Sequence, residues 1–322
     1  MALDVDAVID RRRLSRRLTF WRAVAVLAVL GAMIAYAATQ ISITGKHVAR
    51  LAVQGAILSD RPLIELIERL KKNSDVAGVV VAIDSPGGTS VGGERLYNAL
   101  RDLDGTKPVV AHINTVGASA AYMTALASDH IVAHRTSLTG SIGVLIQYGE
   151  ASELLKNIGV AVSKVDSGPL KAEPNPFEPA SPAAIAALQS VVDDTYDWFL
   201  SLVVDRRKLA EADARRLADG RIFTGHQALE DGLIDEIGGE KVAIAWLQSA
   251  RNVPRDLPVK TYRPTRRDDR SLFTRMGERV IDRLLAQIGI QIPSEFPMGS
   301  VDGLWSIWQA PALSVTRVSA DD

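Results

Sequence analysis

The stretch Val76-Ala-Gly-Val-Val-Val-Ala-Ile83 contains no polar side chain, and it limits the fold more than any other part of the chain. A strand with one wet face alternates, so an uninterrupted apolar run belongs to a strand covered on both faces, as in a parallel sheet with helices on either side. Asp84-Ser-Pro-Gly-Gly88 closes the run with a turn. Pro108-Val-Val-Ala-His-Ile113 has the same character. Parallel strands need crossover connections, and the intervening segments have the right pattern for helices.

His47–Val53 alternates and then runs apolar, as a first strand would. Over 61–72, Leu63, Ile64, Ile67 and Leu70 recur at helical spacing behind Pro62 in the first turn. A helix over 92–103 and another over 118–127 follow, with short strands expected at 130–133, 139–146 and 160–165 and a helix at 150–158. The prolines of the 166–179 loop rule out a continuous helix there. Ser181-Pro182 then starts a long helix, cap followed by N1 proline, with Ile185, Leu188, Val192, Tyr196, Phe199 and Val203 on one face. Shorter helices are expected at 209–217, 226–231 and 240–250. The alternation makes this an α/β domain with right-handed crossovers.

With 322 residues, 47% of them hydrophobic and 23% charged, the chain is long enough for such a domain and is not compositionally disordered. A net charge of -1 supplies no broad basic field, so nucleic acid is not an expected partner. Cysteine is absent, which excludes disulfides, thiolate catalysis and cysteine zinc sites. No metal or cofactor is expected. Arg11-Arg-Arg-Leu-Ser-Arg-Arg17 precedes an apolar stretch over 18–38, with Trp21 and Tyr36 at its two ends. That pattern describes a transmembrane signal anchor with a cytoplasmic N-terminus and an exported remainder. Ala35-Tyr-Ala37 also has the small-residue spacing of a cleaved signal peptide, so both fates stay open. The expected organisation is a basic N-terminus over 1–17, the anchor over 18–38, a linker over 39–46, the α/β domain over 47–262 and an extension over 263–322. Within that extension 272–288 is amphipathic, and Phe296, Trp305 and Trp308 suit either a partner or membrane contact or folding back onto the core.

The chemistry centres on Asn114-Thr-Val-Gly-Ala-Ser-Ala-Ala-Tyr122, where an apolar strand turns into a segment of helix formers. Ser119 stands at that turn, where free N–H groups and the positive end of the helix dipole favour developing negative charge. Close packing of helix on sheet accounts for the small residues equally well. A serine nucleophile needs a base. The chain has five histidines, and His112, His130 and His134 sit in or beside apparent strands where structural roles fit better. The Gly-x-Ser-x-Gly elbow of ordinary esterases is missing, since the residues read Gly117-Ala-Ser-Ala-Ala121. A lysine moved into an apolar pocket loses solvation and becomes a base. Lys171 is the candidate, in a proline-stiffened and mostly apolar loop with no basic neighbour. A solvated lysine would explain the loop as well.

Taken together, these residues resemble the signal peptide peptidase A family (protease family S49) in its short single-domain form. The matching pieces are Val53-Gln-Gly-Ala-Ile57, Asp84-Ser-Pro-Gly-Gly88, Gly117-Ala-Ser-Ala-Ala-Tyr122, Thr139-Gly-Ser-Ile-Gly-Val144, Ser167-Gly-Pro-Leu-Lys171 and the stretch from Gly220 to Asp235. Their order and spacing carry the resemblance, which covers residues 47 to 250. It implies a crotonase/Clp-protease-like fold, Ser119 as nucleophile, Lys171 as general base and Ser141 as the residue orienting the lysine. It also implies an oxyanion hole from Gly87 or Gly88 together with Ala120. Further implications are a membrane-anchored serine endopeptidase on the extracytoplasmic side of the bacterial inner membrane, a bowl-shaped homo-oligomer, and signal-peptide remnants or other small apolar peptides as substrates. In short forms with this spacing both catalytic residues are expected from one chain. The rival readings are a stomatin-partner-type Ser-Lys protease, a crotonase-like acyl-CoA enzyme and a non-enzymatic membrane scaffold.

Overall fold

The computed structural model describes residues 18–31, 45–58, 61–264 and 305–307. The chain divides into two compact units, Met1–Gly45 and Lys46–Asp322. In the first, residues 18–31 form a helix, α1, with mostly exposed side chains. The anchor expected over 18–38 runs beyond it into 32–38, outside the described residues, as do 1–17 and the amphipathic stretch 272–288. Among the described residues no helix is long and apolar enough to cross a membrane.

In the second unit the apolar run becomes the strand β2 (Val76–Ser85), which lies between β1 (His47–Gln54) and β4 (Val109–Ala118), parallel to both. Side chains of a strand point alternately to opposite faces, and here each face has its own apolar layer. Val79, Val81 and Ile83 join the larger core beneath α2 (Arg61–Lys72), α3 (Ser90–Asp104) and α4 (Ala120–Leu126). Val80 packs with Val48, Val110 and Val132 on the other face, where Ala243 and Leu247 of α9 (Glu240–Ala250) close the layer. That two-sided cover explains why β2 has no polar position through its centre. Helix α2 buries Leu63, Ile67 and Leu70 of the expected stripe, with Leu66 buried in place of Ile64, which is half-buried.

The long strand β4 is shared between two neighbours. Its first half pairs with β5 (His130–Ala133) and its second with β6 (Leu138–Gly140), both parallel. β6 in turn bonds antiparallel to β7 (Ile222–Thr224), and β5 to the two-residue β8 (Glu236–Ile237). At the far edge β9 (Val259–Tyr262) adds parallel to β1. A three-residue strand, β3 (Gly87–Thr89), leaves β2 and leads straight into α3, whose first turn is capped where Gly92 N–H donates to Thr89 Oγ1 at 3.0 Å. The remaining helices are α5 (Ser152–Asn157), the 26-residue α6 (Pro182–Arg207), α7 (Glu211–Leu217) and α8 (Gly225–Glu230). The result is a mixed α/β domain with a mostly parallel sheet, which fits the crotonase/Clp-protease-like expectation.

Three expectations need correcting. The strand expected over 139–146 ends at Gly140, because Gly140 (φ 81°) and Ser141 (φ 49°) both turn left-handed. No strand forms over 160–165, where Val160, Val162 and Val165 are exposed and, among the described residues, no strand pairs with them. Helix α6 starts at the expected cap, with Ala184 N–H donating to Ser181 Oγ. Its apolar face is nevertheless buried mainly in its distal half, at Phe199, Leu200 and Val203, while Ile185 stays exposed.

Candidate active site

Ser119 sits between the end of β4 and the start of α4 and is the N-cap residue of that helix. Its backbone, at φ 59° and ψ -122°, lies in a region that residues with a Cβ rarely occupy. Neighbouring strands impose that conformation. Ser119 N–H donates to the Gly140 carbonyl at 2.8 Å, and its own carbonyl accepts from Met123 N–H at 2.9 Å as the helix begins. Thr139 Oγ1 donates to the Gly117 carbonyl at 2.7 Å, tying the preceding turn of chain to β6. Every residue of α4 is buried, and Tyr122 fixes it further by donating its O–H to the Leu233 carbonyl at 2.7 Å. A sharp, over-determined turn of this kind presents a serine hydroxyl from a rigid frame without Gly-x-Ser-x-Gly.

Two sources of oxyanion donors meet there. Ala120 is the first residue of α4, so its N–H has no carbonyl partner within the helix. The other source is the Pro86-Gly87-Gly88 turn. Gly87 has φ 109°, and its N–H donates to Ser85 Oγ at 3.2 Å. Gly88 approaches Ile57 so closely that a Cβ would stand 1.8 Å from the Ile57 carbonyl oxygen. That leaves Gly88 N–H as the better candidate of the two. Gly93 of α3 packs against Ala120, where a Cβ would meet the alanine methyl at 3.0 Å, so the frames holding the two donors are in contact.

Ser141 comes within reach of the same place through β6, since Gly140 pairs with Ala118 and accepts from Ser119. It too is left-handed, and its N–H donates to the Arg221 carbonyl at 2.7 Å. Lys171 lies apart from this buried frame, on an exposed loop, with its backbone N–H bonded to the Gly168 carbonyl. The other lysine of that loop is differently placed. Lys164 is held by Glu178 at 2.8 Å, Asp166 at 3.7 Å and Glu173, and the hydrogen bond that it donates to Glu178 is the main reason that its pKa is raised. Among the described residues no carboxylate forms an ion pair with Lys171.

His112 is buried with both ring nitrogens unpartnered, and burial, aided by His134 and Arg50, lowers its pKa to about 4. It is a core residue, as its strand position implied. A cavity of about 260 Å³ lies beside Ile57 between α2 and α3, and none of Ser119, Ser141 and Lys171 lines it. No group of three metal-ligating side chains occurs among the described residues. Sequence reasoning missed the supporting residues Ser85, Thr139 and Tyr122. All three stood inside quoted motifs, but none was given a role of its own.

Residues 101–254 match the family model for peptidase family S49. Over 251 residues the chain is 34% identical to a protease-named protein of Synechocystis sp., covering 77% of this chain and 89% of that one. It is 30% identical over 208 residues to the chloroplastic serine protease SPPA of Arabidopsis thaliana, covering 63% of this chain and 30% of that protein. Similarity to protease 4 of Haemophilus influenzae is 27% over 201 residues, or 62% of this chain and 32% of the relative.

Proposed function

This chain belongs to peptidase family S49 and is a serine protease, and from that premise we propose that it cleaves small apolar peptides with Ser119 as nucleophile and Lys171 as general base. The acyl-CoA and scaffold readings give way to that membership. The observation that carries the assignment is the conformation of Ser119, held at φ 59° and ψ -122° beside the first N–H of α4. Such strain persists only where the surroundings over-determine it, and it concentrates at reacting residues.

In the proposed reaction the Lys171 amine, in its neutral form, takes the Ser119 hydroxyl proton while Oγ attacks the peptide carbonyl. Gly88 and Ala120 N–H groups bind the resulting oxyanion. The proton then passes to the departing amine, leaving an acyl-enzyme, and a water deprotonated by Lys171 hydrolyses the ester and regenerates both groups. Ser141 holds the lysine amine in line. The proposed setting is the extracytoplasmic face of the bacterial inner membrane, reached through the 18–38 segment, with signal-peptide remnants among the substrates. Self-association is part of the proposal, supported by exposed apolar residues around the lysine loop, including Leu154, Ile158 and Phe177.

The test is turnover of short fluorogenic peptides by detergent-solubilised full-length protein. Ser119→Ala and Lys171→Ala should each lose at least about a hundredfold in kcat. Near wild-type turnover in either variant would remove that residue from the mechanism.

A further inference from the structure

Helix α3 begins where β3 ends, and its first residue, Ser90, is only 4% exposed. The Ser90 Oγ atom is buried and has no hydrogen-bond partner among the described residues. Other hydroxyls around the site are bonded. Ser85 Oγ accepts from Gly87 N–H, Thr89 Oγ1 accepts from Gly92 N–H, Thr124 Oγ1 donates to the Ala120 carbonyl and Thr139 Oγ1 donates to the Gly117 carbonyl. A buried hydroxyl left without a partner costs stability. Helix capping does not account for this one, because Thr89 already fills that place. An alanine would pack the same space without stranding a polar atom, so the Ser90 hydroxyl calls for a partner from outside the chain.

Its position indicates which group that partner belongs to. Residues three apart on a helix share a face, so Ser90 lies one turn before Gly93 on the same side of α3. Gly93 is the residue that meets Ala120, where a Cβ would stand 3.0 Å from the alanine methyl. Helices α3 and α4 follow the parallel neighbours β2 and β4, so both start from the same end of the sheet. One turn before Gly93 on α3 therefore comes level with the residue before Ala120, which is Ser119. This sets the Ser90 hydroxyl beside the space bounded by Gly88, Ser119 and Ala120. A peptide cut there has its carbonyl oxygen between the Gly88 and Ala120 N–H groups, which match its two lone pairs. What is left to meet Ser90 is the side chain of the residue that supplies the carbonyl, whose Cβ lies only about 2.5 Å from the carbonyl carbon.

We infer that Ser90 is a specificity-determining residue, selecting peptides in which the residue just before the cleaved bond has a hydroxyl or amide side chain, such as serine, threonine or asparagine, within an otherwise apolar sequence. The inference rests on the reading of Gly88 and Ser119 as oxyanion donor and nucleophile, and it narrows the proposed substrate class. A serine hydroxyl both donates and accepts, so it pairs with a hydroxyl or with either end of an amide. With an apolar side chain in the same place the Ser90 hydroxyl stays stranded in the complex. A site built around such a hydrogen bond rejects the apolar isostere more strongly than an apolar pocket rejects a hydroxyl.

The test uses two short fluorogenic peptides that are identical except for the residue before the cleaved bond, serine in one and 2-aminobutyrate in the other. These side chains have the same shape and differ only in a hydroxyl against a methyl. Full-length, detergent-solubilised wild type should cleave the serine peptide with a kcat/KM at least about tenfold above that for the aminobutyrate peptide. In Ser90→Ala the serine peptide should lose and the aminobutyrate peptide gain, because no hydroxyl is then stranded, so the ratio should fall to about one or below. Both peptides are measured on one preparation, and any loss of folded enzyme cancels from the ratio. A wild-type ratio near one would overturn the inference, as would an unchanged ratio in Ser90→Ala. An equal fall for both peptides would overturn it too, since Ser90 would then shape the hole without choosing the side chain. Activity retained by Ser119→Ala would sink the catalytic reading, whereas the ratio reads Ser90 whichever residue attacks.

Discussion

Ser119→Gly should be inactive and yet more stable than Ser119→Ala. Both variants lack the hydroxyl and whatever it bonds, so the difference between them reports the backbone alone. At φ 59° and ψ -122° the residue lies outside the small left-handed region that alanine can enter. Holding a Cβ there costs toward the upper end of about 1–3 kcal/mol, which glycine recovers. Two terms oppose the gain. Glycine loses about 0.5–1 kcal/mol more backbone entropy on folding. The site is buried, so removing the Cβ also forfeits about 0.8 kcal/mol of apolar burial. The balance leaves glycine ahead by about 1 kcal/mol, or about 2–4 °C in Tm for a domain of this size. Thermal melts and urea titrations of the two variants, with activity measured alongside, make the comparison. If Ser119→Ala melted at or above Ser119→Gly, the turn would not be strained and the main support for Ser119 as nucleophile would go.

Gly88→Ala would bring a methyl 1.8 Å from the Ile57 carbonyl oxygen, so β3 must shift and carry its N–H off the oxyanion; kcat should fall by about a hundredfold or more in single-turnover assays. Tyr122→Phe strands the buried Leu233 carbonyl that now accepts at 2.7 Å, and should cost about 1–3 kcal/mol in urea unfolding. His112 is held neutral by burial, with a folded pKa of about 4 against the ordinary 6.5, so the unfolded chain binds the extra proton between those values. Its contribution is fully present above pH 6.5 and is lost as the pH falls toward 4, by up to about 3 kcal/mol, and His112→Phe should flatten that part of the stability profile.

How much of this was legible in the sequence depends on how local each cause is. The apolar run of β2 and the stripe of α2 are set by their own residues; β2 stands where the pattern put it, and α2 differs only in burying Leu66 rather than Ile64. The strand-to-helix turn at Ser119 was legible for the same reason. Its positive-φ backbone was not, because the Gly140 carbonyl that fixes it comes from a later strand. The same limit applies to β9 and to β10 (Trp305–Ile307), which exist only through pairing with β1 and β3 far away in the chain. It works in reverse at 160–165, where β-branched residues promised a strand and, among the described residues, no strand pairs with them. Local propensity proposes, and the availability of a ladder decides.

The parts of the proposed machinery differ in what holds them. Ser119 and Ala120 belong to a buried frame, locked by Gly140, Met123 and Tyr122, and need nothing else to keep their geometry. Lys171 has no such frame: its loop, the helix α5 before it and the first half of α6 after it are largely exposed, with Leu154, Ile158 and Ile185 facing solvent. Gly88 is rigidly placed by Ile57 on one edge, but its other edge is taken by β10. A nucleophile is dangerous only when base and hole act with it. Under the proposed mechanism a permanently set serine is therefore safe so long as the base awaits a surface that covers its loop. Burial of those exposed apolar residues by another copy of the chain would orient Lys171 and confine proteolysis to the assembled form. The exposed residues around the lysine loop would then be the restraint on one rigid serine.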